Sequence, residues 1–202
     1  MNTKDKILEV SLSMFSASGY NAVSIRDICG EVGIKESSIY YHFKNKQDIL
    51  DSLMIKFEEY INSLLLVLQS QTVTGRQGLS FDWMDIYFFD QYLFDPFCNK
   101  MMRLMLNEQF HNEKLREAYE KWLFTEPRKI ETGVFLMLAE VGIMSYADAT
   151  RTGLDFHAYM TMLTYKYLLL GELTTEKKDI FRKEAHLYME SIFERLGGNE
   201  NV

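Results

Sequence analysis

Hydrophobic positions recur at three- and four-residue intervals along almost the whole chain, which is the signature of amphipathic helices. In "KDKILEVSLSMFSAS" the residues Ile7, Leu8, Leu12 and Phe15 share one helical face, and Gly19 follows as a stop. Ser24, with Asp27 three residues on, opens "IRDICGEV" as a capping box, and Gly33 closes it. "ESSIYYHF" then has room for about two turns. Asn45 caps the next helix, with Asp48 at its third position. From Lys46 the rhythm Leu50, Leu53, Met54, Phe57, Ile61, Leu64, Leu65, Leu68 predicts one long helix to about Ser70. "QTVTGRQG" reads as a loop. Further helices are expected over 79–94, 97–109, 112–125, 127–143, 154–171 and 176–196. No segment keeps strand-like alternation between turn signals, and there is no internal repeat. The expected fold is all-α. A three-helix unit, residues 1–48, is joined through the long helix to a C-terminal helical bundle, residues 49–202, without a flexible linker.

Composition adjusts this picture little. Hydrophobic residues at 47% and charged residues at 25% are an ordinary globular balance, and only 2 prolines leave room for long helices. Cys29 and Cys98 stand apart, in no ligand-like spacing, which suits a reducing compartment. The N-terminus lacks an apolar signal core and no apolar run reaches membrane-spanning length, so a soluble, cytoplasmic protein without a membrane partner is expected.

Charge matters more. The net charge of −7 argues against nucleic acid on its face. Yet within residues 1–50 the cations Lys4, Lys6, Arg26, Lys35, Lys44 and Lys46 balance Asp5, Glu9, Asp27, Glu31, Glu36 and Asp48. The excess of acid therefore lies entirely beyond residue 50, and nucleic-acid binding follows the local field.

A short helix, a turn with glycine and a second short helix make a helix-turn-helix, whose second helix enters the major groove. That arrangement aims Lys35, Glu36, Ser37 and Ser38 at base edges and sets Tyr40, Tyr41 and His42 by the flanking phosphates. Ile39 and Phe43 belong to the core. The helix N-terminus after Asn45, with Lys44 and Lys46 beside it, reads as an anion site.

Residues 3–53, "TKDKILEV…KNKQDILDSL", resemble the DNA-binding region of the TetR (tetracycline-repressor-like) family of bacterial regulators. The likeness rests on the hydrophobic first helix, the Gly19-Tyr20 pair, the Gly33-Ile34 turn, the "YYHF-KNK" block and the adjoining long helix. It implies operator contacts at Arg26, Glu36, Ser37, Ser38, Tyr40, Tyr41, His42 and Lys46. Ser24, Lys35 and Lys44 complete the expected interface with double-stranded DNA. Two positions depart from the family. Lys35 stands where many members place a capping Ser or Thr, and Glu36 where many carry Lys or Arg. Glu36 either accepts a hydrogen bond from a cytosine amino group or repels phosphate.

Beyond the long helix, "FDWMDIYFFDQYLF" is the densest aromatic segment, and at helical spacing Trp83, Tyr87 and Phe94 share a face with Asp90. With Met101, Met105 and Trp122 they are the candidate lining of a small-molecule site, which the resemblance also implies. They are equally ordinary core residues. An inward Asp90 or Glu108 would suit a lipophilic cation, and a buried Arg103 or Arg128 an acid. The histidines at 42, 111, 157 and 186 show no metal spacing, and no cofactor motif or activated nucleophile appears.

"AYMTMLTYKYLLL" carries one charge, Lys166, and the final helix presents Phe181, Ala185, Tyr188, Met189, Ile192 and Leu196. Two such broad stripes predict a homodimer through the helices near 154–171 and 176–196, as the resemblance also implies. The chain thus reads as a ligand-responsive DNA-binding regulator, a repressor that a small hydrophobic or aromatic molecule releases, and not an enzyme. The other readings are a constitutive or architectural DNA-binding protein, and, more distantly, a helical-bundle enzyme.

Overall fold

A computed structural model describes residues 2–74 and 84–197, and among them every regular element is helical. The chain divides into two compact units, Met1–Arg116 and Glu117–Val202. In the first, α1 (Thr3–Ser18), α2 (Ile25–Val32) and α3 (Glu36–Ile39) lead into α4 (Lys46–Thr74). Then follow α5 (Met84–Leu93), α6 (Pro96–Glu108) and α7 (Glu113–Glu120). Ile7, Phe15, Ile28, Ile39 and Ile49 are fully buried and centre the N-terminal helices on one core. Each such side chain stabilises by roughly 1.5–3 kcal/mol. Leu50, Leu53, Phe57 and Ile61 continue that core along α4, while Leu64 and Leu65 are half-buried. Helix α4 runs on to Thr74, so the first four residues of the expected loop, 71–74, are helical instead, while 75–78 and the side chain of Leu68 lie outside what the structure describes.

Helix α5 is wound as a π-helix over its whole length, closed by Phe94 N–H donating to Phe89 O at 2.7 Å. This five-residue repeat changes which rings meet. Phe89 and Phe94, five apart in the chain, stand 5.8 Å apart between ring centroids, a pairing that α-helical spacing does not predict. Residues 79–83 of the expected helix, Trp83 among them, lie outside the described residues, as does the side chain of Tyr87.

In the second unit the expected break at Pro127 is absent. A π-wound segment (Lys121–Thr125) follows α7 directly and leads into α8 (Glu126–Glu140). Pro127 sits in the first turn of α8, directly after the π-wound segment. Helix α9 (Tyr146–Leu163) begins eight residues before the expected start. Ser145 accepts from the Asp148 N–H at 3.1 Å and donates to its carboxylate at 2.6 Å, a start signal that the periodicity does not carry. Gly153 continues this helix because a Cβ there would lie 2.7 Å from Thr132 Cα; glycine lets α8 and α9 approach closely. A second π-wound stretch, Thr164–Leu169, precedes α10 (Thr175–Gly197).

On α9 the side chains of Phe156, Met160 and Leu163 are buried within the chain, as are Phe181, Ala185 and Ile192 on α10. Leu154 and Met162 of α9, with Ile180, Leu187 and Phe193 of α10, stay exposed. No helix among the described residues is long and apolar enough to cross a membrane.

Candidate nucleic-acid interface

The helix-turn-helix is assembled by local hydrogen bonds. Ser24 accepts the Asp27 N–H at 3.2 Å, and the Asp27 carboxylate takes the Ser24 N–H at 2.8 Å and its hydroxyl at 2.6 Å. These donors hold the Asp27 carboxyl below its usual range. The Ser24 hydroxyl proton is thereby committed to the cap. A phosphate, which offers only acceptors, would have to displace Asp27 to receive it. Gly33 and Ile34 donate to Cys29 O at 2.9 and 3.0 Å and close α2.

Helix α3 is a single turn, shorter than the expected two. Lys35 occupies its N-cap in an extended conformation and makes no side-chain cap, because an ammonium has no acceptor to offer. After Ile39 the backbone passes into a turn, with Tyr41 N–H on Ser38 O at 3.3 Å and His42 N–H on Ile39 O at 2.9 Å. Ile39 and Phe43 face the core. Tyr40 and Tyr41 stand outward, Tyr41 at 87% exposure, and His42 is exposed beside them. Glu36 and Ser37 are exposed and Ser38 half-buried. Arg26 Nε lies 4.0 Å from Glu36 Oε1, both side chains largely in solvent, so the pair is weak but offsets the acid at the head of α3.

Three of the six acids within residues 1–50 are engaged in local contacts. Asp27 serves its cap, Glu36 faces Arg26, and Asp48 receives the Lys44 N–H at 2.8 Å while Asn45 caps Asp48 N–H at 2.9 Å. Lys35 and Lys44 stay exposed and have no carboxylate within ion-pair distance among the described residues. The ammonium groups of Lys35 and Lys44 therefore flank α3 and are free to meet an anion.

Lys46 is placed differently. Its ammonium donates to Tyr20 O at 2.9 Å and Val23 O at 2.8 Å, and lies 4.3 Å from the centroid of the Tyr20 ring. It thus fastens the start of α4 to the turn between α1 and α2. Two residues the sequence did not single out join it. Lys4 lies 5.6 Å from the Phe43 ring centroid, which brings a cation from the start of α1 beside the α3–α4 turn. Lys6 caps α2 through Val32 O at 2.9 Å. Neither contact leaves a local signal, because each joins segments more than twenty-five residues apart.

Helix α6 grips the same unit from the other side. Lys100 Nζ donates to Ser13 Oγ at 2.7 Å, Asn107 Nδ2 to Ser16 O at 3.1 Å, and Glu108 Oε1 accepts the Tyr20 N–H at 2.8 Å. Glu108 is 5% exposed, and it is committed to that amide rather than to a ligand cage. Among the other candidate ligand residues of the first unit, Phe94, Met101 and Met105 are buried and Asp90 is exposed. Trp122 is buried in the second unit. Arg103 is half-buried and Arg128 exposed. Cys29 and Cys98 are buried free thiols whose titration burial pushes up, which makes both poor nucleophiles.

Residues 7–53 match the bacterial regulatory proteins of the tetR family. Over 69 residues the chain is 33% identical to the biofilm operon icaADBC HTH-type negative transcriptional regulator IcaR of Staphylococcus aureus (strain Newman), covering 34% of this chain and 37% of that relative. Less than two thirds of that relative is therefore spanned. A transcriptional regulator from Saccharomonospora viridis, solved in complex with choline, superposes with a TM-score of 0.63 at 20% identity, over 93% of this chain and 95% of that one. A regulator from Aquifex aeolicus VF5 does so with a TM-score of 0.64 at 18% identity, over 93% and 99%. These two likenesses concern the fold.

Proposed function

From the premise that this chain belongs to the tetR family of bacterial regulatory proteins, we propose that it is a cytoplasmic, homodimeric repressor that leaves its operator when a small molecule binds. The observation that carries the reading is the exposed Tyr40–Tyr41–His42 turn between the exposed, unpaired cations Lys35 and Lys44. Ser37, Ser38 and Glu36 read bases, Tyr40, Tyr41, His42, Lys35 and Lys44 hold phosphate, and Arg26 steers Glu36. Repression fits the negative regulator that shares this region.

Dimerisation would cover Leu154 and Met162 of α9 and Ile180, Leu187 and Phe193 of α10, whose exposure has no other evident use. Two recognition helices would then meet half-sites about 34–36 Å apart. The effector would lodge beside α5 and α6 near Phe94, Met101 and Met105, where methionines can give way. A chain of this fold has been solved with choline, so the fold accommodates small molecules.

The test is a mobility shift with the DNA upstream of the chain's own gene, with excess unrelated duplex and then with candidate small molecules. A specific complex, lost in Lys35→Ala/Tyr41→Ala and relieved by a ligand, is the expected result. Equal affinity for unrelated DNA overturns the operator reading. A specific complex that no small molecule relieves replaces it with constitutive binding.

A further inference from the structure

A groove of about 440 Å³ opens between α1, α4 and the start of α6. Leu8, Leu12 and Leu53 contribute apolar surface to it and are themselves largely buried. Helix α1 adds two carboxylates, Asp5 and Glu9, four residues apart and so on one face. Helices α4 and α6 add the cations Lys56 and Lys100. Phe97 lies among them, with the Lys56 ammonium 5.7 Å from its ring centroid and Tyr60 edge-on at 6.4 Å.

The charges in this groove are complementary in sign but do not meet. Among the described residues neither Asp5 nor Glu9 has an ion-pair partner within 4.0 Å. Lys100 leans on Ser13 Oγ at 2.7 Å and keeps further N–H groups, while Asp95 is occupied capping the Cys98 N–H at 2.9 Å. An apolar floor between separated acids and cations is matched by a molecule that carries both charges and an apolar body. A simple amine would leave Lys56 and Lys100 unanswered, and a simple acid would face Asp5 and Glu9. The volume is within the range of small-molecule sites.

We propose that this groove binds a free α-amino acid with a large apolar side chain. Its ammonium meets Glu9 and Asp5, its carboxylate meets Lys56 and Lys100, and its side chain covers Leu12, Leu53 and the Phe97 ring. The assignment does not depend on DNA binding.

The full chain, methyl-labelled at leucine, is titrated with L-phenylalanine and L-leucine and followed by NMR. Parallel titrations use phenethylamine, which lacks the carboxylate, 3-phenylpropionate, which lacks the ammonium, and glycine, which lacks the side chain. Saturable shifts at Leu8, Leu12 and Leu53 are expected with the apolar amino acids, and each truncated analogue should bind about tenfold weaker or worse. Glu9→Gln and Lys56→Met, both exposed substitutions, should each weaken binding by about tenfold while leaving the methyl spectrum of the free chain folded. No saturable shift with either amino acid at millimolar concentration overturns the proposal. So does equal binding of phenethylamine or 3-phenylpropionate, or indifference of the affinity to both variants.

Discussion

The Glu108 carboxylate is the most exacting contact in the first unit, and its removal has a consequence that can be worked out. It accepts the Tyr20 N–H at 2.8 Å while 5% exposed, so solvent is a poor substitute for it. Gly19, at φ 86°, brings the turn so close that a Cβ there would stand 3.0 Å from Glu108 Oε1. The Tyr20 peptide is meanwhile held on its carbonyl by Lys46 at 2.9 Å. Glu108→Ala strands the buried Tyr20 amide, which costs about 1–3 kcal/mol. Glu108→Gln keeps an acceptor of the same shape, and a neutral bond has roughly half the strength of a charge-assisted one. The order wild type, Gln, Ala should therefore appear in hydrogen exchange at the Tyr20 amide, with Gln between the other two. Exchange is the better assay because the chain divides into two compact units, and one melting curve would mix their unfolding. If Gln and Ala speed exchange equally, the carboxylate only fills space and the latch is refuted.

Four further outcomes follow from the geometry. Lys44→Ala should weaken binding to every DNA sequence and lower the slope of log affinity against log salt by about one unit. Lys46→Ala should leave that slope unchanged and instead cost about 1–3 kcal/mol in urea unfolding, because it strands Tyr20 O and Val23 O; a full unit of lost slope would put its ammonium on phosphate. Glu36→Ala should relax preference at one base pair per half-site by about 1–3 kcal/mol, and a rise in affinity equal for all sequences would reduce Glu36 to a phosphate-repelling charge. Buried Glu131 bonds His157 Nδ1 at 2.6 Å, and burial raises its carboxyl above the usual range against the lowering effect of that histidine. The folded chain therefore retains this proton when the unfolded chain has lost it, so its contribution is full below the ordinary carboxylate range and fades as pH rises. Glu131→Gln should gain stability relative to wild type as pH rises above the ordinary carboxylate range, and a difference that stays constant with pH would contradict the assignment.

How legible these features were depends on how far apart in the chain their parts lie. The capping box at Ser24–Asp27 and the Asn45 cap on the Asp48 N–H are contained in four residues each, and both form as their spacing predicts. Ile39 and Phe43 are buried as the amphipathic pattern requires, and Tyr41 is exposed where a contact residue must be. Lys46 was visible as a cation at a helix start, but its two carbonyl acceptors come from a turn more than twenty residues earlier. Glu108 lies eighty-eight residues from Tyr20, and nothing local to either residue announces the bond. The π-winding of α5 was not legible for another reason. Periodicity assumes 3.6 residues per turn, and a segment bonded five residues apart moves Phe94 onto Phe89.

Those long-range bonds bear on how a release signal would travel. A tilt of α4 alone has one route to the recognition turn, through Leu50, Leu53 and Phe57 in the shared core. The bonds from Lys100, Asn107 and Glu108 give α6 a second route, ending on Ser13, Ser16 and Tyr20. Both routes converge at Tyr20, which Lys46 ties to the start of α4 and whose hydroxyl reaches Gln47 at 3.2 Å. A 100-fold loss of operator affinity needs about 2.7 kcal/mol of coupling. Ordinary hydrogen bonds contribute about 0.5–1.5 kcal/mol each, so a rearrangement that exchanges two or three of these α6 contacts is of the right size. Met101 and Met105 on the same helix are buried in the core, so a ligand entering beside them would act on α6 first and on α4 through Tyr20. The equilibrium then moves only as far as the ligand's preference between the two arrangements carries it. A tightly bound molecule that leaves all three α6 bonds intact, and α4 in place, would leave the operator occupied.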